Sequence, residues 1–191
     1  MKPLLLILAV ALALSACKKD DPEASLPAAT QEGANTGGYL LDGRAVGATG
    51  YPGHNGLLSS TQPTPPVAGG FVNDSMLYVG LFSMWGNQRY ELTFFVRYHG
   101  IGTYQLGKTT STYSGLAVKS LRNYAALYQD CVSPACPTQA HRTDSLRTGT
   151  LTLTYVNRPK GIIAGLFEFS AYDNSSKQII NVSRGRFDLR E

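Results

Sequence analysis

The chain has 191 residues with 43% hydrophobic content, 17 basic and 13 acidic residues, and a formal net charge of +4. This length suits one domain behind a leader, and the 11 Tyr and 7 Phe residues can bury a sizeable core. The charge excess is small, and the sequence has no basic stripe interleaved with aromatic residues. We therefore expect no nucleic-acid partner.

The first 16 residues have the pattern of a secretory signal peptide. Lys2 gives a basic start, and Pro3–Leu14 is an apolar run too short for a permanent membrane span, which needs about 20 residues. The small residues Ser15 and Ala16 stand directly before Cys17. This arrangement resembles the bacterial lipobox, in which the cysteine is acylated and becomes the new N-terminus. An ordinary signal peptide followed by an incidental cysteine is the alternative.

An acylated Cys17 would tether the protein permanently, because two or more lipid chains anchor a protein stably whereas one chain does so only marginally. The resemblance predicts a lipid anchor in the outer membrane, with the domain facing the periplasm or the cell surface. The next residues are Lys18, Lys19, Asp20 and Asp21. A lysine before an acidic pair at this place resembles the surface-export signal of Bacteroidota lipoproteins. The alternative is a solvated charge cluster.

Residues 17–38 are predicted to be a flexible, disordered tether, because they are rich in Pro, Ala, Glu, Thr and Gly without apolar periodicity. A tether of about 20 residues would have a mean reach of about 25 Å. Residues 39–191 are predicted to form a single β domain.

The N-terminal half of this domain begins with a predicted hairpin, whose two-residue turn is Asp42-Gly43. Tyr51–Gly70 contains four prolines and few large apolar residues, which favours a mobile surface loop. Met76–Trp85 has apolar residues at both odd and even positions, as expected of a strand covered on both faces. We expect Trp85 to close the core rather than to form an exposed platform.

The middle of the chain continues this β pattern. Tyr90–Tyr98 alternates apolar and polar residues as a half-buried strand does, with Phe95 as the one exception. A further short strand is expected at Thr103–Gly107. Leu116–Tyr128 fits either a helical stripe or a strand, and we favour a strand from about Asn123.

The C-terminal end gives the clearest periodicity. Alternation in Thr150–Tyr155, Ile163–Ser170 and Ile180–Leu189, with turns between them, predicts a three-stranded antiparallel meander. In the last segment the apolar residues change from even to odd positions, which predicts a β-bulge at Arg184-Gly185. The fold class is therefore all-β, either an antiparallel β-sandwich or a partly open barrel.

Beyond the anchor, two cysteines remain, Cys131 and Cys136. In an exported protein such a pair is normally a disulfide, here a local one that would stabilise the fold by about 2 kcal/mol. A metal site would lack ligands, since only His141 is near. A redox motif would need two residues between the cysteines.

No catalytic constellation is visible, so we predict no enzyme activity, no metal and no cofactor. The histidines are His54, His99 and His141. His141 precedes Asp144 by three residues, a spacing that more often gives a surface hydrogen bond than a catalytic dyad. Glu91 and Glu168 fall on predicted outer strand faces, where carboxylates normally only increase solubility. Ser75 and Ser145, each preceded by Asp and followed by Met or Leu, match a short O-glycosylation pattern.

Four segments occur together in one pattern: Asp42-Gly43-Arg44, Gly102-Thr103-Tyr104, Gly165–Phe169 and Arg184–Asp188. The pattern resembles a family of Bacteroidota outer-membrane lipoproteins of unknown function. Members often carry a large aromatic residue in the first strand, where this chain has Val46. The resemblance implies no residue role other than the lipid cysteine.

Three functional hypotheses follow. The first is a surface-anchored binding or interaction module that contacts a glycan or a protein through loop Tyr51–Gly70 or an edge strand. The second is a structural envelope lipoprotein without a small ligand. The third, ranked well behind, is a hydrolase, which would need its histidines or carboxylates gathered in a cleft.

Overall fold

The computed structural model describes residues 21–55, 60–107, 123–131 and 137–191. The strands of these residues are β1 (Thr36–Leu41), β2 (Arg44–Gly47), β3 (His54–Asn55), β4 (Ser60–Thr61), β5 (Val67–Val72), β6 (Met76–Trp85), β7 (Gln88–Arg97), β8 (Gly102–Leu106), β9 (Tyr124–Cys131), β10 (Gln139–Arg142), β11 (Gly149–Asn157), β12 (Ile162–Tyr172) and β13 (Ile179–Arg190). Short 3₁₀ turns occupy Pro22–Ser25 and Arg158–Lys160.

Eleven of these strands form one antiparallel sheet, in the order β2-β1-β13-β12-β10-β9-β7-β6-β5 with β11 and β8 branching from β12. Strand β12 pairs with β11 along its first part and with β10 at Tyr172, so β10 and β11 share one edge of β12. Strands β3 and β4 form a separate small hairpin. The predicted all-β fold class is confirmed, and the predicted meander is β11-β12-β13.

The sheet curls into a half-barrel around a single aromatic and aliphatic core. The ring centre of Phe94 on β7 lies 4.7 Å from that of Phe167 and 6.0 Å from that of Phe169, both on β12. The curl returns β5 to the C-terminus, where the backbone N–H of Phe71 donates to Glu191 Oε1 at 2.7 Å. Alternate residues of each central strand therefore face this core, and the others lie on the outer face.

The predicted bulge in the last strand is confirmed. Phe167 pairs with Gly185 but Phe169 pairs with Val182, so β13 carries one extra residue. Arg184, at this bulge, has a φ of 53°, which is in the left-handed region. A Cβ atom on Gly185 would stand 2.1 Å from the Phe167 ring, so glycine lets this ring pack directly beneath the bulge.

The folded region reaches further toward the N-terminus than the predicted boundary at residue 39. Strand β1 begins at Thr36, and Leu26 is buried with 8% of its surface exposed. We call residues 21–35 the N-terminal strap. Its Glu23 accepts a hydrogen bond from the Arg186 guanidinium at 3.1 Å. Local composition gives no sign of this packing, because the strap's hydrogen-bond partners on β13 lie more than 150 residues away.

The predicted loop Tyr51–Gly70 is shorter than expected. Its end belongs to β5, which pairs with β6 along its whole length. Its start is fixed by two backbone hydrogen bonds of 3.0 Å between Tyr51 and Thr64. Because this stretch is rich in glycine and proline, its residue pattern predicts a loop rather than a strand. The strand predicted from about Asn123 is confirmed as β9, whereas residues 108–122 lie outside the described part.

Candidate functional site

The outer face of β6, β7, β9 and β10 carries side chains in rows that run across the strands. Antiparallel register aligns one residue from each strand, and rows on one face repeat every second residue, about 6.6 Å apart. Three such rows lie next to one another on this face. We call them the aromatic row, the small row and the polar row.

The aromatic row consists of Tyr78, Phe95 and Tyr124, which are direct partners across β6, β7 and β9. The rings of Phe95 and Tyr124 are stacked, with centres 5.4 Å apart and planes 16° apart. Tyr78 leans on Phe95 with centres 4.9 Å apart. The row is a continuous wall of aromatic rings on a face that the core does not use.

The small row consists of Gly80, Thr93 and Ala126, followed on β10 by Arg142. Because its first three side chains are small, the neighbouring rows stand above it and leave a hollow. A Cβ on Gly80 would lie 2.8 Å from the Tyr78 hydroxyl oxygen and from Phe82, so these two side chains meet over this glycine and close one end.

The resulting pocket, which we call the outer-face pocket, has a volume of about 400 Å³. Its lining residues are Tyr78, Glu91, Thr93, Phe95, Tyr124, Tyr128 and Arg142. This size is within the range of small-ligand sites, which combine apolar walls with a few polar groups.

The polar row, which consists of Phe82, Glu91 and Tyr128, supplies a carboxylate to this pocket. Glu91 of β7 is partly buried and lies opposite Tyr128 of β9. It makes no hydrogen bond or ion pair with any other residue that the structure describes. Burial raises the pKa of the Glu91 carboxyl above its usual range, and the nearby negative charge of Asp130 raises it further.

A guanidinium lies at the other end of the pocket. The central carbon of Arg142 is 5.4 Å from the centre of the Tyr128 ring. The pocket thus offers a hydrogen-bond acceptor at Glu91, donors at Arg142, a hydroxyl at Thr93 and aromatic side chains along one side. Such a set binds a ligand that has both polar groups and an apolar face.

A second hollow lies beside the start of the Tyr51–Gly70 segment. It has a volume of about 690 Å³ and is lined mainly by prolines with Tyr51 and Met84. The Tyr51 hydroxyl donates to the carbonyl oxygen of Tyr90 at 2.8 Å, and its ring packs edge-on against Phe82. No charged side chain lines this hollow within the described ranges, so it has less chemistry to offer than the outer-face pocket.

Several predicted site residues lie outside the described residues: Cys17, Lys18, Lys19, Asp20 and Cys136. Asp21 caps the first 3₁₀ turn, where its Oδ1 accepts from the backbone N–H of Glu23 at 3.0 Å. Cys131 is the last residue of β9. Its pairing with Cys136, like the lipidation, stays a prediction. Ser75 and Ser145 are both exposed beside turns.

His99 and His141 have different surroundings. His99 packs against Tyr104 with ring centres 4.4 Å apart. His141 faces the core, is 1% exposed, and its two ring nitrogens have no hydrogen-bond partner among the described residues. Burial lowers its pKa. The expected surface bond to Asp144 is wrong, because β10 directs the His141 ring inward and Asp144 binds Arg147 at 3.0 Å.

One further sequence expectation is wrong. Trp85 does not close the core but is 55% exposed, with the Arg44 guanidinium carbon 3.5 Å from its ring centre. Glu91 lies on the outer face as expected, but it is partly buried and lines the outer-face pocket. The signal that could have revealed this site was Phe95, the aromatic exception among the polar positions of β7. Glu168 is exposed, as expected.

No family model, curated protein or solved structure matches this chain. In the part of the chain that the structure covers, no helix has the length and apolarity to span a membrane. No three His, Cys, Asp or Glu residues within the same ranges are placed to hold a metal ion.

Proposed function

We propose that this protein is a lipid-anchored binding module that takes up a saccharide in the outer-face pocket. The observation that carries the proposal is one pocket that joins the aromatic row, across the small row, to the Glu91 carboxylate and the Arg142 guanidinium. A pyranose ring has a flat C–H face that suits aromatic rings, and hydroxyl groups that suit acceptors and donors. The pocket presents both kinds of surface within one small volume.

A glycan fits this pocket better than a protein partner does. A stable protein interface buries about 800 Å² on each partner, whereas this pocket is a small recess of about 400 Å³. Small-ligand sites bury most of the ligand in such a recess. We therefore place the ligand on the outer face of β6, β7, β9 and β10 rather than on the predicted contact surface, loop Tyr51–Gly70.

The anchor is part of the proposal. Residues 1–16 would be removed as a signal peptide, Cys17 would be acylated, and residues 18–21 would direct the protein to the cell surface as a Bacteroidota outer-membrane lipoprotein. The chain between Cys17 and Asp21 spans at most about 14 Å. The strap that follows packs against β1, β2 and β13, whereas the pocket lies on β6, β7, β9 and β10. This arrangement supports a pocket directed away from the lipid.

The remaining predictions concern export. A disulfide between Cys131 and Cys136 would fix the end of β9, and exposed Ser75 and Ser145 would be accessible for O-glycosylation. Peptide mapping under non-reducing conditions checks the first, and intact-mass analysis checks the second.

The test is a glycan array probed with the full-length protein in detergent micelles. We expect retention on β-linked glycans by the wild type, at least tenfold weaker binding by Phe95→Ala, and no cleavage of the oligosaccharide. Phe71→Ala is the matched control, because Phe71 also packs in an aromatic pair but lies outside the pocket. No retention on any glycan, or equal binding by both variants, would refute the saccharide site.

The anchor has a separate test. Labelled palmitate should enter the wild type, and Cys17→Ser should leave the envelope fraction. If the Cys17→Ser protein still fractionates with the envelope and the wild type takes up no label, the lipoprotein proposal is wrong. Protease treatment of intact cells then distinguishes the cell surface from the periplasm.

A further inference from the structure

We infer that the saccharide bound in the outer-face pocket carries a protonated amine, and that this amine faces the Glu91 carboxylate. The inference rests on the proposed function, which supplies the saccharide, and it adds the chemical class. The amine would replace one ring hydroxyl of an otherwise neutral sugar.

The first argument is the state of Glu91. An ionised carboxylate that is withdrawn from water without a partner is unfavourable, and proteins normally provide a hydrogen bond or a counter-charge. Among the described residues Glu91 has neither. A ligand that brings N–H donors and a positive charge supplies both at once.

The second argument is the arrangement of the other charges. Asp130, two residues along β9 from Tyr128, adds a second negative charge that acts on Glu91. Besides the exposed Arg97 at the end of β7, two cations of this face are held against rings. Arg142 lies over Tyr128 at 5.4 Å, and Arg89 lies over Tyr51 at 5.6 Å. Neither forms an ion pair with Glu91 in the described parts of the chain.

The third argument is the aromatic wall. Ring faces attract cations as well as the C–H groups of a sugar. An ammonium group next to the polar row would meet the Glu91 carboxylate while the sugar ring lies against the aromatic row. An anionic sugar, in contrast, would place its charge beside Glu91 and Asp130.

The experiment compares three β-1,4-linked tetramers that differ only at C2 of each ring. They are the glucose tetramer with a hydroxyl, the glucosamine tetramer with an amine, and the N-acetylglucosamine tetramer with a neutral amide. Calorimetric titration of the full-length protein at pH 6 should give at least tenfold tighter binding of the amine form. In Glu91→Gln this preference should vanish, so that the amine and hydroxyl forms bind equally.

Two further variants complete the design. Glu168→Gln removes an exposed carboxylate from the outer face of β12, away from the pocket, and should keep the full preference. Glu91→Asp keeps the charge and should keep a preference of several-fold, which guards against a Glu91→Gln protein that fails to fold. Equal binding of all three tetramers to the wild type overturns the inference but leaves the saccharide site standing. No binding of any tetramer overturns both.

Discussion

Two carboxylates on the outer face of this sheet have opposite surroundings. Asp188 of β13 is 1% exposed, and the strap covers it. Its carboxylate accepts hydrogen bonds from the Thr30 hydroxyl at 2.6 Å and from the backbone N–H groups of Glu32, Gly33 and Ala34 at 3.0, 2.8 and 3.2 Å. Burial alone would raise its pKa, but these bonds outweigh burial and lower it.

Glu91 of β7 occupies the corresponding kind of position, an outward residue of a strand whose neighbours face the core. It is partly buried, no described donor reaches it, and its pKa is raised by burial and by Asp130. The difference separates a structural carboxylate from a candidate binding carboxylate. Where the chain supplies every donor, the group holds a segment in place. Where the chain supplies none, the group is available to a ligand.

The largest expected effect is the loss of stability in Asp188→Asn. The amide cannot accept all four hydrogen bonds, and bonds to a charged group are worth about 1.5–3 kcal/mol each. We expect the free energy of unfolding to fall by about 2–4 kcal/mol in urea titration, with faster proteolysis in the strap. The exposed control Glu168→Gln should change it by less than about 0.5 kcal/mol. A similar loss in both variants would contradict the role of Asp188.

The pH dependence of the free energy of unfolding should have opposite signs for the two carboxylates. Because the folded pKa of Asp188 is lowered, its contribution is complete above the unfolded value of about 3.9 and is lost as the pH falls through the folded pKa. The wild type and Asp188→Asn should therefore converge in acid. Glu91 has a raised folded pKa, so its charge destabilises at neutral pH, and this effect disappears as the pH falls toward about 4.3.

Urea titrations at several pH values between 7 and 3 measure both effects. Relative to Glu91→Gln, the wild type should gain stability on acidification, and relative to Asp188→Asn it should lose stability. If both differences change in the same direction, the contrast between the two carboxylates is wrong.

A smaller effect is expected at Gly80, where the missing Cβ allows Tyr78 and Phe82 to meet. Gly80→Ala should destabilise the protein by about 1 kcal/mol, because both contacts are with the ends of side chains that can shift. The displaced Tyr78 should enter the outer-face pocket and weaken saccharide binding at least fivefold. Gly43→Ala is unsuitable as a control because its φ is positive, but Gly47→Ala adds a Cβ in open space and should leave binding unchanged. Unaltered binding in Gly80→Ala would show that Tyr78 does not bound the site.

The smallest expected effect is on the stability of Glu91→Gln at pH 7. Removing an unpartnered charge should leave the free energy of unfolding within about 0.5 kcal/mol of the wild type or raise it. A loss of more than 1 kcal/mol in urea titration would reveal a structural partner and would undo the comparison with Asp188.

Much of the backbone follows from local pattern alone. The bounds of β6, the Asp42-Gly43 hairpin and the bulge at Arg184 were predicted, because strand periodicity, turn conformation and parity slips are properties of adjacent residues. Strand β5 was missed, because its consecutive glycines resemble a loop until β6 pairs with them. The side chain of His141 was misplaced for a similar reason, since only the pairing of β10 with β9 turns it inward.

The order of residues predicts that alternate residues of the strands bury an aromatic and aliphatic core, because successive side chains of a strand point to opposite faces. It could not decide what lies against the other face. Asp188 and Glu91 are both outward acidic residues in alternating strands, and nothing nearby in the chain distinguishes them. Only the tertiary structure covers one with a strap from the opposite end of the chain and places the other in a pocket, because these contacts depend on strand register and sheet curl rather than on neighbouring residues.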